Sequence, residues 1–192
     1  MFIVTLANSK GGCGKSTLAC LLALNWAGLG KRVLIRDLDP QGSSGAFVEH
    51  LGHPNIKSYV DGMDADYLLV DTPGGIRDKD LVALVDLADQ VVIPFLLSPT
   101  DMRATGETVR KIDQKKARLL FNKCNTSTAI FKDRFNYAQV LGVKAMKHHL
   151  GDRVCFKHAL VDGWPALNAQ AKGEVFEVAT ELEEGRIRGK KA

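Results

Sequence analysis

No stretch of this chain holds the roughly 18 to 20 uninterrupted apolar residues that a membrane span needs. The opening residues MFIVTLANSKGG lack a basic leader and a long apolar core, so no secretory signal is expected. Cysteine is scarce. Cys13, Cys20, Cys124 and Cys155 form no CxxC pair and no zinc spacing, and they read as reduced thiols in small apolar sites. No sign of charge dominates: the formal net charge is +4, which permits contact with a polyanion without establishing it. The histidines at 50, 53, 148, 149 and 158 read as surface residues rather than metal ligands. Internal repeats, low-complexity segments and linkers are also missing. Residues 1–192 are therefore expected to form a single domain, with a basic, frayed tail over 186–192.

What the chain does have is alternation. Apolar runs at 2–7, 32–39, 67–75, 90–98 and 117–125 are continuous rather than every-other-residue, as in parallel strands covered on both faces. Helical patterns fall at 16–29, 81–88, 101–114, 130–141 and 174–184, the last with Val175, Phe176, Val178, Ala179 and Leu182 on its apolar side. Strand and helix in turn predict an α/β fold, a doubly wound and mainly parallel sheet flanked by helices. Ligands of such sheets bind at the carboxyl ends of the strands. Asp37, Asp39 and Asp71 fall at such ends.

The first strand runs straight into SKGGCGKST, residues 9–17. Gly11, Gly12 and Gly14 free the backbone to turn its N–H groups toward phosphate oxygens, and the helix that follows adds its positive end. Lys15 reaches the β and γ phosphates, and the Ser16 hydroxyl ligates Mg²⁺. Cys13 and Thr17 complete the nucleotide-binding stretch. The G-x-x-x-x-G-K-[ST] spacing asks for a glycine where Ser9 stands, and a second lysine, Lys10, follows it. Asp71 ends a strand before TPGG, an arrangement that holds a carboxylate near the metal ahead of a flexible loop. Asp37 and Asp39, in DLDPQG, either orient the attacking water or perform turn chemistry. In FNKCN, Asn122 is placed to contact a purine. Asn125 stands where a guanine-specific site carries aspartate, which favours ATP.

KGGCGKST (10–17), DLDPQGS (37–43), LLVDTPGG (68–75), IPFLLSPTD (93–101) and AKGEVFEVATELEEG (171–185) resemble the ParA/MinD class of deviant Walker A P-loop ATPases over nearly the whole chain. The resemblance implies an ATP-bound homodimer in which Lys10 crosses to the partner's phosphates, Asp39 activates water, and Ser16, Asp37 and Asp71 form the metal set. It departs from the family pattern at Cys13, where valine is commoner. Arg36 also departs from it, lying within a strand usually apolar, and is expected to pair with an acidic neighbour. The interval 41–67 is short, polar and not aligned.

Within that class the expectation is a small ParA-type partition ATPase, dependent on ATP and Mg²⁺. It would bind DNA nonspecifically as a dimer and be stimulated by a ParB-like or other small adaptor. It would be cytoplasmic, and nucleoid-associated when ATP-bound. The alternatives are a conjugation-associated or other cargo-positioning ATPase, or a MinD-like scaffold with little turnover. The tail EGRIRGKKA has Ile187 as its one large apolar residue, too little for a membrane-binding face, so no membrane partner is expected. The cysteines do not fall in contexts that match a cluster-bearing reductase, and with the loop starting at residue 9 no preceding helix-turn-helix is expected. Arg110, Lys111, Lys115, Lys116 and Arg118, with Arg186 and Arg188, are candidates for DNA backbone contact. Lys144, Lys147, Lys190 and Lys191 add charge. The other reading of 110–118 is a solvated lysine-rich helix face.

Overall fold

The computed structural model describes residues 1–189. Strands β1 (Phe2–Leu6), β2 (Val33–Asp37), β3 (Ile56–Ser58), β4 (Tyr67–Asp71), β5 (Gln90–Phe95) and β6 (Ala117–Phe121) form one sheet in the order β3-β2-β4-β1-β5-β6. Every pairing is parallel. This is the doubly wound α/β sheet that the alternation predicts. The register sets Leu6 and Asp37 on either side of Asp71, so the loops after β1, β2 and β4 leave the same edge together.

The helices are α1 (Lys15–Gly28), α2 (Ser43–Leu51), α3 (Asp78–Leu87), α4 (Pro99–Val109), α5 (Ala129–Lys132), α6 (Arg134–Leu141), α7 (Val154–Asp162) and α8 (Ala169–Gly189). α1, α2, α7 and α8 cover one face of the sheet, and α3 to α6 cover the other. Two covered faces explain why β1, β4 and β5 carry unbroken apolar runs. Between the sheet, α7 and α8, helix α1 is buried on nearly all sides, from Leu18 to Ala27. That is why it reads as apolar all round rather than amphipathic. α8 buries Ala171, Val175, Val178, Ala179 and Leu182 at helical spacing. Phe176, expected among them, is 50% exposed: it lies one residue around the helix from Val175.

Several boundaries differ from the sequence reading. The interval 41–67 contains α2 and the short edge strand β3, and α7 lies in a stretch whose pattern is weak. The helix expected over 130–141 is two, because Asp133 leaves helical geometry at φ −92° and ψ 6°. The helix expected to reach residue 114 ends at Val109. α8 continues through Gly189, so residues 186–189 are helical rather than frayed, while Lys190 and Lys191 lie outside the described residues. Arg36 makes no ion pair among the described residues. Its guanidinium stands 5.4 Å over the Tyr59 ring instead, a cation–π contact.

Candidate functional site

The site is assembled from the loops at the carboxyl edge of β1, β2 and β4. In the loop after β1, Gly12 and Gly14 take φ of +75° and +95°, where a side chain would strain the backbone. At Gly14 a Cβ would also collide with the Asn122 amide. Lys15 is buried, and its Nζ donates to the carbonyls of Asn8 and Lys10, each at 3.1 Å. Cys13 is fully buried with its thiol facing the Lys10 carbonyl at 3.4 Å. Burial pushes that thiol up, against a smaller opposing effect of Lys15. α1 begins at Lys15 with no side-chain cap, so its first amides remain available. A buried ammonium, glycine backbone and an uncapped helix start fit a polyphosphate.

Asp71 is fully buried at the end of β4. Its Oδ2 accepts from Ser44 Oγ at 2.9 Å, and its Oδ1 has no hydrogen-bond partner among the described residues. Burial pushes this carboxyl up, and the nearby Ser16 and Ser44 hydroxyls pull it only part of the way back. Asp37 Oδ1 accepts from the Asp39 amide at 2.9 Å and Oδ2 from the Gly45 amide at 2.8 Å. Asp39 Oδ1 accepts from the Gln41 amide at 3.0 Å. In this structure both carboxylates therefore perform the turn chemistry that was one of their two readings, pinning the loop between β2 and α2. In TPGG, a Cβ on Gly74 would sit 3.1 Å from the Gly11 nitrogen, so this loop presses directly on the glycine loop.

The donor set suits Mg²⁺. An orphaned carboxylate oxygen on Asp71, the Ser16 hydroxyl and the neighbouring Asp37 are hard oxygen ligands. Mg²⁺ is held by one or two carboxylates together with phosphates. Among the described residues no group of three or more His, Cys, Asp or Glu is arranged to hold a metal by itself.

Within this chain Lys10 is held by α4. Its Nζ forms an ion pair with Asp101 Oδ1 at 2.5 Å, and Asp101 is 1% exposed. Asp101 Oδ2 also accepts from Ser98 Oγ at 2.5 Å. The neighbouring residues are tied to the same helix. The Ser9 amide donates to Thr108 Oγ1 at 2.9 Å and Ser9 Oγ to the Ala104 carbonyl at 2.9 Å, while Asn8 Nδ2 donates to Thr105 Oγ1 at 3.1 Å. The first half of the loop is thus laced to α4. Sequence reasoning missed Asp101, although it lies within the quoted SPTD.

Asn122 reaches the loop, with its amide committed: Nδ2 donates to the Cys13 carbonyl at 2.8 Å, and Oδ1 accepts from the Lys123 amide at 2.9 Å. Lys123, also missed, holds φ of +51°, rare for a residue with a side chain, and its Nζ donates to the Gly12 carbonyl at 3.0 Å. Thr17 faces the same cavity as Asn122.

The basic candidates lie at the other pole, at the amino ends of β5 and β6. Lys115, Lys116 and Arg118 line a groove of about 430 Å³ with Lys144, Lys147 and Glu181. Part of that charge is already used. Lys116 Nζ donates to the Val85 and Asp86 carbonyls at 3.1 and 2.9 Å, capping α3. Arg118 donates to the Lys115 and Ala117 carbonyls, and Lys111 pairs with Asp78 at 2.8 Å. Lys115 and Arg110 are exposed. Arg186 and Arg188 fall on the last turns of α8, whose Leu182 carbonyl accepts from Gln90 at the start of β5.

A family model for the CobQ/CobB/MinD/ParA nucleotide binding domain matches residues 4–163. The chain is 27% identical over 195 residues to the Maintenance of carboxysome distribution protein A of Halothiobacillus neapolitanus, covering 90% of this chain and 89% of that protein. It is 48% identical over 114 residues to the Sporulation initiation inhibitor protein Soj of Bacillus subtilis, a match to 57% of this chain and 45% of Soj. Among solved structures, apo McdA from Cyanothece shares the fold with a TM-score of 0.75 at 17% identity, over 94% of this chain and 98% of that one.

Proposed function

Because the chain belongs to the CobQ/CobB/MinD/ParA family of nucleotide-binding domains, we propose that it hydrolyses ATP with Mg²⁺ and uses the cycle to position a cargo. The observation that carries this reading is the buried Asp71, whose free oxygen lies among Ser16, Ser44 and Asp37 next to the glycine loop. A carboxylate without a cation is costly at full burial, and a metal–phosphate complex relieves that cost. Mg²⁺ would be held by Ser16, Asp37 and Asp71. When bound, it would neutralise developing charge on the phosphates. Lys15 leaves the loop carbonyls to bind phosphate, the glycine amides orient it, and Asp39 holds the water. Lys10 exchanges Asp101 for the phosphates of a second copy of the chain.

The dimer binds DNA through its basic pole without sequence preference, and an adaptor protein stimulates turnover and release. DNA partition is the first reading of the cargo. The match along nearly the full length of a carboxysome distribution protein supports a second, in which the cargo is a protein body carried over DNA. Either reading makes the protein cytoplasmic, and nucleoid-associated when ATP-bound. Steady-state hydrolysis of ATP, with and without DNA, tests the core of this proposal. Mg²⁺-dependent release of phosphate that Lys15→Ala abolishes is expected. Wild-type protein that binds ATP but never turns it over points to a nucleotide-dependent scaffold instead.

A further inference from the structure

Along the second half of the glycine loop the carbonyls are taken and the amides are not. The Gly12 carbonyl accepts from Lys123 Nζ at 3.0 Å, the Cys13 carbonyl from Asn122 Nδ2 at 2.8 Å, and the Gly14 carbonyl from the Leu18 amide at 2.9 Å. From Gly11 to Thr17 no backbone amide donates to a protein acceptor among the described residues. A trans peptide unit carries its C=O and its N–H on opposite sides. The Gly12 oxygen shares one such unit with the Cys13 amide, and the Cys13 oxygen shares the next with the Gly14 amide. Groups that draw these two oxygens toward the end of β6 therefore turn these two amides away from it. Successive amides turned one way, with positive φ at Gly12 and Gly14, make an anion-binding concavity.

Two consecutive residues draw the oxygens, and the fold fixes both. Asn122 is buried just past β6, where its own amide donates to the Phe95 carbonyl at 2.9 Å. Its Oδ1 accepts from the Lys123 amide at 2.9 Å, which leaves Nδ2 directed at the loop. Gly14 has no side chain to fill the place that Nδ2 takes. On the other side of Lys123, the Cys124 amide donates to the Leu150 carbonyl at 2.9 Å. Between these anchors Lys123 holds φ of +51°, the one residue with a side chain and a positive φ among the described residues. Such strain persists where the surroundings over-determine it, and it clusters at functional sites. Here the left-handed turn carries the exposed lysine back over the loop to Gly12.

We propose that Asn122 and Lys123 are positioning residues for the phosphates. They grip successive carbonyls of the loop and so preset the Cys13 and Gly14 amides for an anion. This rests on the reading of the loop as a nucleotide site, and it gives the pair a role that needs no contact with the base. Glycines flank Cys13, so an ungripped loop is free to turn a carbonyl toward the phosphates, oxygen against oxygen. Donors fixed in advance cost no reorganisation when the charge arrives.

The test measures equilibrium binding of ADP and of inorganic triphosphate, which has no base, to the full chain, with Tm for each variant. Wild type should bind both. Asn122→Ala changes no charge and should weaken both by the same factor, about fivefold to tenfold, the weight of one hydrogen bond. Lys123→Gly should also weaken both equally, with little change in Tm, because glycine holds a positive φ without strain. Asn122→Ser, whose hydroxyl is too short to reach the Cys13 carbonyl, repeats the measurement if the alanine variant does not fold. Loss of ADP affinity with triphosphate affinity intact would make Asn122 a base contact and overturn the inference. Loss in Lys123→Gly alone would be charge attraction without positioning, and overturns it too. Variants that bind both ligands as wild type does overturn it as well, as does wild type that binds ADP but not triphosphate; each leaves the nucleotide site standing. Wild type that binds neither ligand overturns both readings.

Discussion

At Asp71 and Asp101 two buried carboxylates meet opposite fates. Asp101 has a cation, Lys10, and the Ser98 hydroxyl of its own N-cap turn; Asp71 has the Ser44 hydroxyl and an unfilled oxygen. Asp71→Asn should therefore raise Tm at neutral pH, by about 2–4 °C for each 1 kcal/mol recovered, while Mg²⁺-dependent hydrolysis disappears. The sign follows from the raised carboxyl. Its folded state favours the proton, so the contribution to stability is present below the ordinary value of 3.8 and is lost as pH rises through the folded value. Thermal scans of the two proteins at pH 4 and pH 7 check this, since the gap should open only at the higher pH. Lys10→Ala should cost about 1–3 kcal/mol of stability, because it leaves Asp101 buried beside the Ser98 hydroxyl alone. Asp101→Asn should favour assembly. Lys10 loses its ion-pair partner within the chain, so ATP-dependent dimers should form at about tenfold lower protein concentration, read by light scattering or sedimentation. Unchanged dimerisation in Asp101→Asn would mean that the ion pair does not restrain Lys10.

Among the elements, α8 does more than cover the sheet. Glu174, Glu177 and Glu181 accept from Gly151 and Arg153, from His148, and from the Lys147 and His148 amides, so one helix edge holds the whole segment 147–153. Burial alone would raise the Glu174 carboxyl, but the Arg153 and Gly151 hydrogen bonds outweigh it and hold it below 4.5. A depressed carboxyl stabilises the fold above its unfolded value and stops doing so as pH falls through the folded value. Chemical denaturation from pH 6 down to pH 3 should show wild type losing stability below about pH 4.5 more steeply than Glu174→Gln. This clamp was invisible in the sequence because 174 and 151 meet only in the folded chain. α8 itself was legible, through its spacing of Val175, Val178 and Leu182. So were the glycine loop, Asp71 and the alternation, since each is a local pattern of consecutive residues. β3 was not, because three residues at an edge leave no periodicity to read. Nor was the second role of Asn122, whose amide serves a carbonyl 109 residues away.

The molecule as a whole has two poles, with the glycine loop and Asp152 at the carboxyl edge of the sheet and the lysine groove at the amino edge. If the groove meets DNA, the free and the committed cations should separate. Lys115→Ala should reduce the salt slope of DNA binding by about one unit with Tm unchanged. Lys116→Ala should lower Tm, since its ammonium caps α3, with little change in slope. Filter binding across a salt series, with melting curves, distinguishes them. Equal slopes for wild type and Lys115→Ala would remove this pole from the DNA surface. The edge of α8 also sets an order of events in the cell. Glu174 and Glu181 leave the ribosome 23 and 34 residues behind the amides they accept. A chain still in synthesis can thus display the glycine loop before residues 150–153, which line a cavity with Gly14 and Asn122, are fixed. Nascent chains stalled with α8 still in the exit tunnel should capture a fluorescent ADP far more weakly than chains stalled after α8 has emerged. The cell's abundant nucleotide would then report which copies of the protein are finished.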